Sequence, residues 1–180
     1  MSTQGAALEY SRVLISSEQI QKRVAELANQ ISADFKEKTI YVVGVMENGF
    51  MFMADLVREI HIPVVCQFVK AEFKETNTTT TEIFFSPEAD VKGQHVLLVE
   101  ALVQSGVTSE FLMGNIMARG AASVKLAAFL DKQSSRRVPL QPDYFGFLIS
   151  ESFVVGYGLG TPHLGRNLPY IAAKQDSARI

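Results

Sequence analysis

The stretch HVLLVEALVQSGVT, residues 95–108, holds the residues best placed to do chemistry. An apolar strand-like run ends at Glu100, a loop carrying Gln104, Ser105 and Gly106 follows, and Val107 and Thr108 open a helical pattern. A glycine in such a loop lets the backbone turn its amides inward, and a helix N-terminus adds partial positive charge, so a phosphate is the natural guest. The hydroxyls of Ser105 and Thr108 can donate to that anion. From spacing alone, an ordinary strand-to-helix turn with Thr108 as N-cap fits equally well.

Positioning such a loop needs a rigid scaffold. Ser16 with Gln19 forms a capping-box pattern, and Ile20, Val24, Leu27, Ile31 and Phe35 follow at helical spacing. TIYVVGV (39–45) is a β-branched run, Asn48-Gly49 punctuates the chain, and Phe50, Met53, Val57 and Ile60 predict a second helix closed by Pro63. VVCQFVKA (64–71), HVLLVEA (95–101) and SVKLAAFL (123–130) read as further strands, with a helix over 108–118 stopped by Gly120. YFGFLI (144–149) and PYIAA (169–173) could add more. Near-continuous apolar strands alternating with helices imply an α/β fold with a parallel sheet covered on both faces. In such sheets ligands bind beyond the carboxyl ends of the strands, here the loops at 46–49, 72–82, 101–107 and 131–142. The polar segment Glu72 to Glu82, with its threonine run Thr78 to Thr81, reads as a mobile loop.

With 180 residues the chain predicts one domain. A net charge of -2 and a pI near 5.9 argue against a nucleic-acid partner, and the pair Arg136-Arg137 is too short a basic run to change that. The single cysteine, Cys66, sits in an apolar stretch and reads as an inert buried thiol. No apolar run reaches membrane-spanning length, so no membrane partner is expected and the cytoplasm is the expected compartment. His61, His95 and His163 lack metal-ligand spacing and receive no role.

HVLLVEALVQSGVT, preceded by GVMENGF (44–50) and followed by FLDKQSSRR (129–137), PDYFGFLI (142–149), FVVGYGLG (153–160) and RNLPY (166–170), resembles the hypoxanthine-guanine phosphoribosyltransferases. The resemblance runs from about Leu14 to Ala172, with the blocks in the family order. It implies a type I phosphoribosyltransferase fold with a small hood built from the N- and C-terminal segments, assembled as a homodimer or homotetramer. The implied reaction moves ribose 5-phosphate from phosphoribosyl pyrophosphate (PRPP) to hypoxanthine or guanine, with magnesium.

By the same resemblance, Gln104 to Thr108 would hold the 5′-phosphate. Lys132 would donate to the purine 6-oxo group, Phe153 would stack on the base, and the backbone of Val154 would read its edge. Glu47, Asn48, Gly49 and Arg166 would meet pyrophosphate. The bland readings are a surface lysine, a core aromatic and an exposed loop arginine. The PRPP side departs from the pattern. Glu100 is followed by Ala101 where the family has two acidic residues for the ribose hydroxyls. Gln104 replaces an aspartate that handles the proton on the purine ring nitrogen, and Gly160 replaces the aspartate for magnesium, which weakens that cofactor expectation. Glu47 replaces a lysine, and the hood's Ser-Tyr pair is missing, its nearest counterparts being Glu72 and Phe73. No metal ligand is assigned. The expected ligand is a purine nucleotide such as GMP or IMP more than PRPP with magnesium. The sequence therefore supports a transferase of impaired turnover, an inactive purine-nucleotide-binding regulator, or a purely structural partner subunit.

Overall fold

A computed structural model of the chain describes residues 12–75, 79–85, 90–151, 153–161 and 165–173. The main sheet contains β2 (Ile40–Met46), β3 (Val64–Glu75), β4 (Thr79–Phe85), β5 (His95–Val103), β6 (Ser123–Asp131) and β7 (Tyr144–Leu148), in the order β4-β3-β2-β5-β6-β7. Five of these strands run parallel, and only β4 is antiparallel, at the edge beside β3. A second sheet, in the order β1-β9-β8, joins the two ends of the chain through β1 (Arg12–Ile15), β8 (Val154–Val155) and β9 (Ile171–Ala173).

The alternation within the strands shows why both faces are covered. Leu97 and Val99 of β5 face one core cluster with Ile20, Leu27 and Ile31 of α1 (Ser17–Asp34) and Leu56 of α2 (Phe50–Glu59). Their neighbours Val96 and Leu98 face the other, with Leu112 and Ile116 of α3 (Val107–Ala118). The predicted parallel α/β sheet is therefore the observed one. Among the described residues, no helix is long and apolar enough to cross a membrane.

The capping box at the head of α1 is complete: Gln19 N–H donates to Ser16 Oγ at 3.3 Å, and Ser16 N–H donates to Gln19 Oε1 at 2.8 Å. Replacing Ser16 by Ala is expected to cost about 1 kcal/mol, read as a lower urea midpoint at unchanged slope.

Two sequence expectations are corrected. Glu72 to Glu82 is not a loop but the two arms of a hairpin, pairing Glu72 with Glu82 and Lys74 with Thr80. Its polarity suggested a loop, but threonine is β-branched and suits an extended strand. Residues 76–78 of that segment, Thr78 among them, lie outside the described residues, as does His163. Cys66 is exposed, not buried, because β3 lies next to the sheet edge. Partial desolvation still pushes its thiol above the ordinary range, so little reactive thiolate forms at neutral pH.

Candidate active site

The parallel register puts the ends of β2, β5 and β6 at one edge, where Val103 lies opposite Asp131. A cleft of about 270 Å³ opens there, with Asn48, Glu100, Gln104, Ser105, Gly106 and Thr108 in its walls. Gly106 has φ +79°, a conformation L side chains rarely adopt, and a Cβ there would stand 2.9 Å from Val138 Cγ2. Gly106 thus occupies the position before α3, and its carbonyl accepts the helical bond from Glu110 N–H at 2.9 Å. Thr108 is the second residue of α3, inside its first turn, so the alternative with Thr108 as N-cap fails. Ser105 Oγ accepts from Val107 N–H at 3.3 Å, which leaves the hydroxyl proton able to donate. The amides of Ser105 and Gly106 have no acceptor among the described residues.

A second cavity of about 170 Å³ adjoins the first and shares Asn48, Leu102, Gln104 and Leu159 with it. Its walls also hold Lys132, Phe153, Val154 and Gly160, so the residues expected at the purine end do come together. Lys132 is no loose surface side chain. Its N–H donates to Val103 O at 2.9 Å and its Nζ donates to Glu151 O at 3.0 Å, leaving two ammonium protons for a guest. Phe153 is 45% exposed, so it is no core aromatic and presents ring surface to the cavity. Val154 is buried on β8.

Glu100 is 8% exposed, and its Oε1 has no hydrogen-bond partner among the described residues. Burial pushes its carboxyl up to about 7, against the opposing effects of the Ser109 hydroxyl and the Arg136 charge. Glu47 and Arg166 do not line either cavity. Glu47 instead lies between Arg166 Nη1 at 3.6 Å and Lys70 Nζ at 3.9 Å, and Arg166 Nε donates to Thr161 O at 3.3 Å. Such exposed pairs contribute little to stability.

A phosphoribosyl transferase domain model matches residues 15–161. Over 165 residues the chain is 40% identical to the hypoxanthine phosphoribosyltransferase of Haemophilus influenzae, covering 88% of this chain and 92% of that protein. The chain belongs to the hypoxanthine-guanine phosphoribosyltransferase family. Its backbone agrees: a hypoxanthine-guanine phosphoribosyltransferase structure from Bacillus anthracis superposes with TM-score 0.85 at 35% identity, covering 93% of this chain and 99% of that one. A hypoxanthine phosphoribosyltransferase structure from Staphylococcus aureus gives 0.88 at 28% identity, covering 98% of each. The fold is thus the type I phosphoribosyltransferase fold.

For a member of this family the donor set toward magnesium is poor. Mg²⁺ asks for hard oxygen ligands, usually one or two carboxylates with substrate phosphates. Ala101 and Gly160 both line the cavities and offer no side-chain oxygen. The acidic side chains that do line them are Glu100, largely protonated below neutrality, and Glu151, which pairs with Arg12 at 3.1 Å. No group of three His, Cys, Asp or Glu suited to a metal occurs among the described residues. The residues present do not fit a protein-held magnesium ion.

Sequence reasoning missed Asp131 and Arg136. Asp131 is 1% exposed and ion-paired with Arg136, whose Nη1 also donates to Gln104 O at 3.1 Å. The available signal was an acid at the end of an apolar strand, which must find a cation if the strand is buried.

Proposed function

We propose that this chain is a purine-salvage phosphoribosyltransferase of low turnover, joining the ribose 5-phosphate of PRPP to a 6-oxopurine such as hypoxanthine or guanine. The carrying observation is that the amide-lined loop and the Lys132–Phe153–Val154 pocket are two ends of one cleft, sharing Asn48, Leu102, Gln104 and Leu159. An anion held at 104–108 and a base held beside Lys132 would place the sugar near Gln104, where the bond to pyrophosphate breaks and the bond to the purine nitrogen forms. Gln104 can hydrogen-bond to the ring nitrogen but cannot accept its proton, so that proton leaves to water and the step is slow.

A coupled assay with hypoxanthine, PRPP and magnesium tests this reading, and turnover above the uncatalysed background but well below that of a relative carrying the missing carboxylates is expected. Product formation no faster than background would remove the transferase reading. The poor donor set for magnesium favours a second one, in which the chain binds GMP or IMP and senses it without converting it. Calorimetry would then show GMP binding that persists with a chelator present, alongside no turnover.

A further inference from the structure

The phosphate loop is aimed by groups outside it. Asp131, at the end of β6, is buried and receives both the Arg136 guanidinium and Gln133 Nε2, the latter at 3.2 Å. Arg136 Nη1 donates to the Gln104 carbonyl at 3.1 Å, and one residue on, Arg137 N–H donates to the Ser105 carbonyl at 2.9 Å. Two successive carbonyls are therefore held from the side of the 131–137 segment. In a trans peptide the carbonyl and the next N–H point in opposite directions. Holding Gln104 O toward Arg136 turns Ser105 N–H away from it, and holding Ser105 O turns Gly106 N–H away in the same manner. Both residues line the cleft, and neither amide has an acceptor among the described residues.

We propose that Asp131, Arg136 and the Arg137 amide form a positioning device that points the Ser105 and Gly106 amides at the ligand's phosphate. The device deepens the functional reading above and rests on it for the identity of the ligand. Arginine suits the task because its planar fork can hold a carboxylate with one nitrogen and a carbonyl with another, which a lysine ammonium cannot reproduce in the same geometry. The buried Asp131 keeps the fork in place, and Gln133 keeps Asp131 in place. Packing acts in the same direction, since a Cβ at Gly106 would meet Arg136 Cδ at 3.1 Å, so the arginine stem lies directly against the loop.

Two variants of the full chain separate this role from a merely structural tie. Arg136→Lys keeps the charge but loses the fork. Arg137→Pro removes the amide that holds Ser105 O together with the exposed Arg137 side chain, whose loss alone is read from Arg137→Ala, and Arg136, at φ −66° and ψ 135°, already has the extended backbone that a following proline requires. Titration calorimetry with GMP, guanosine and ribose 5-phosphate, beside thermal melts, reads the outcome. Each variant is expected to lose tenfold or more in affinity for GMP and for ribose 5-phosphate, while guanosine affinity stays within about twofold. Equal losses for GMP and guanosine, or unchanged GMP affinity, would overturn the proposal. Loss of cooperative melting in both variants would overturn it too, by assigning the contacts to stability. A native chain that binds ribose 5-phosphate but not GMP would sink the purine reading and leave the device standing. Binding of neither would end both.

Discussion

Converting Ala101 and Gln104 to aspartate together is expected to raise turnover of hypoxanthine with PRPP and magnesium by about a hundredfold to ten-thousandfold, the usual contribution of a positioned general base. Gln104 lies in both cavities, so a carboxylate at that position would face the junction where, on the proposed reading, sugar and base meet. The loop is open enough to take the exchange at little cost in stability. Ala101 is different. It is 3% exposed, and its amide lies 3.6 Å from where a Cβ on Gly49 would stand, next to the head of α2. An aspartate there buries a charge, with the α2 N-terminus as its main compensation, so the double variant should melt earlier than the native chain. Steady-state rates for the native chain, both single variants and the double variant, taken well below the lowest melting temperature, apportion the gain. Most of it should come from Gln104→Asp, because proton transfer is a separate deficit from sugar grip. Four equal rates would show that the lost carboxylates do not limit this chain.

How much of this was legible beforehand divides along physical lines. Local patterns translated directly: the Ser16–Gln19 capping box and the two-sided apolar alternation of β5 depend on near neighbours alone, and both appear in the structure. Lys132, Phe153 and Val154 could be placed at the purine end only through the family resemblance, and the structure gathers them in one cavity. Glu47 and Arg166 were expected at the pyrophosphate end. They pair with each other outside the two cavities, because a carboxylate in place of a lysine attracts the nearby arginine. Quantities set by long-range packing stayed hidden. Whether Cys66 is covered depends on which strand ends next to the edge, and polarity alone could not tell the Glu72–Glu82 hairpin from a loop. Arg136 looked like half of a short basic run. Its role emerges only when Asp131 and the Gln104 carbonyl, five and thirty-two positions away in sequence, meet it in space.

Glu100→Gln is expected to remove a pH-dependent penalty that the native chain carries near neutrality. The Glu100 carboxyl titrates at about 7 in the folded protein against an ordinary value of 4.5, because burial disfavours its charge. Between those two values the folded chain holds a proton that the unfolded chain has released, so unfolding stability falls as pH rises through this window and levels off above it. A shift of that size corresponds to about 3 kcal/mol. Urea midpoints of the native chain and Glu100→Gln should therefore nearly coincide at pH 4 and separate progressively up to pH 8, with the glutamine variant the more stable. Parallel curves would show that the buried carboxyl is not the source. Glu100 lines the cleft, and although its unpartnered Oε1 is shielded from solvent, a ligand's sugar hydroxyl that reached it would supply the missing bond and favour the charged carboxylate. At pH 8, where the carboxylate is charged and accepts more strongly than the glutamine amide oxygen, guanosine should accordingly bind Glu100→Gln more weakly than the native chain even as the variant's own stability rises, a divergence that a purely structural Glu100 would not produce.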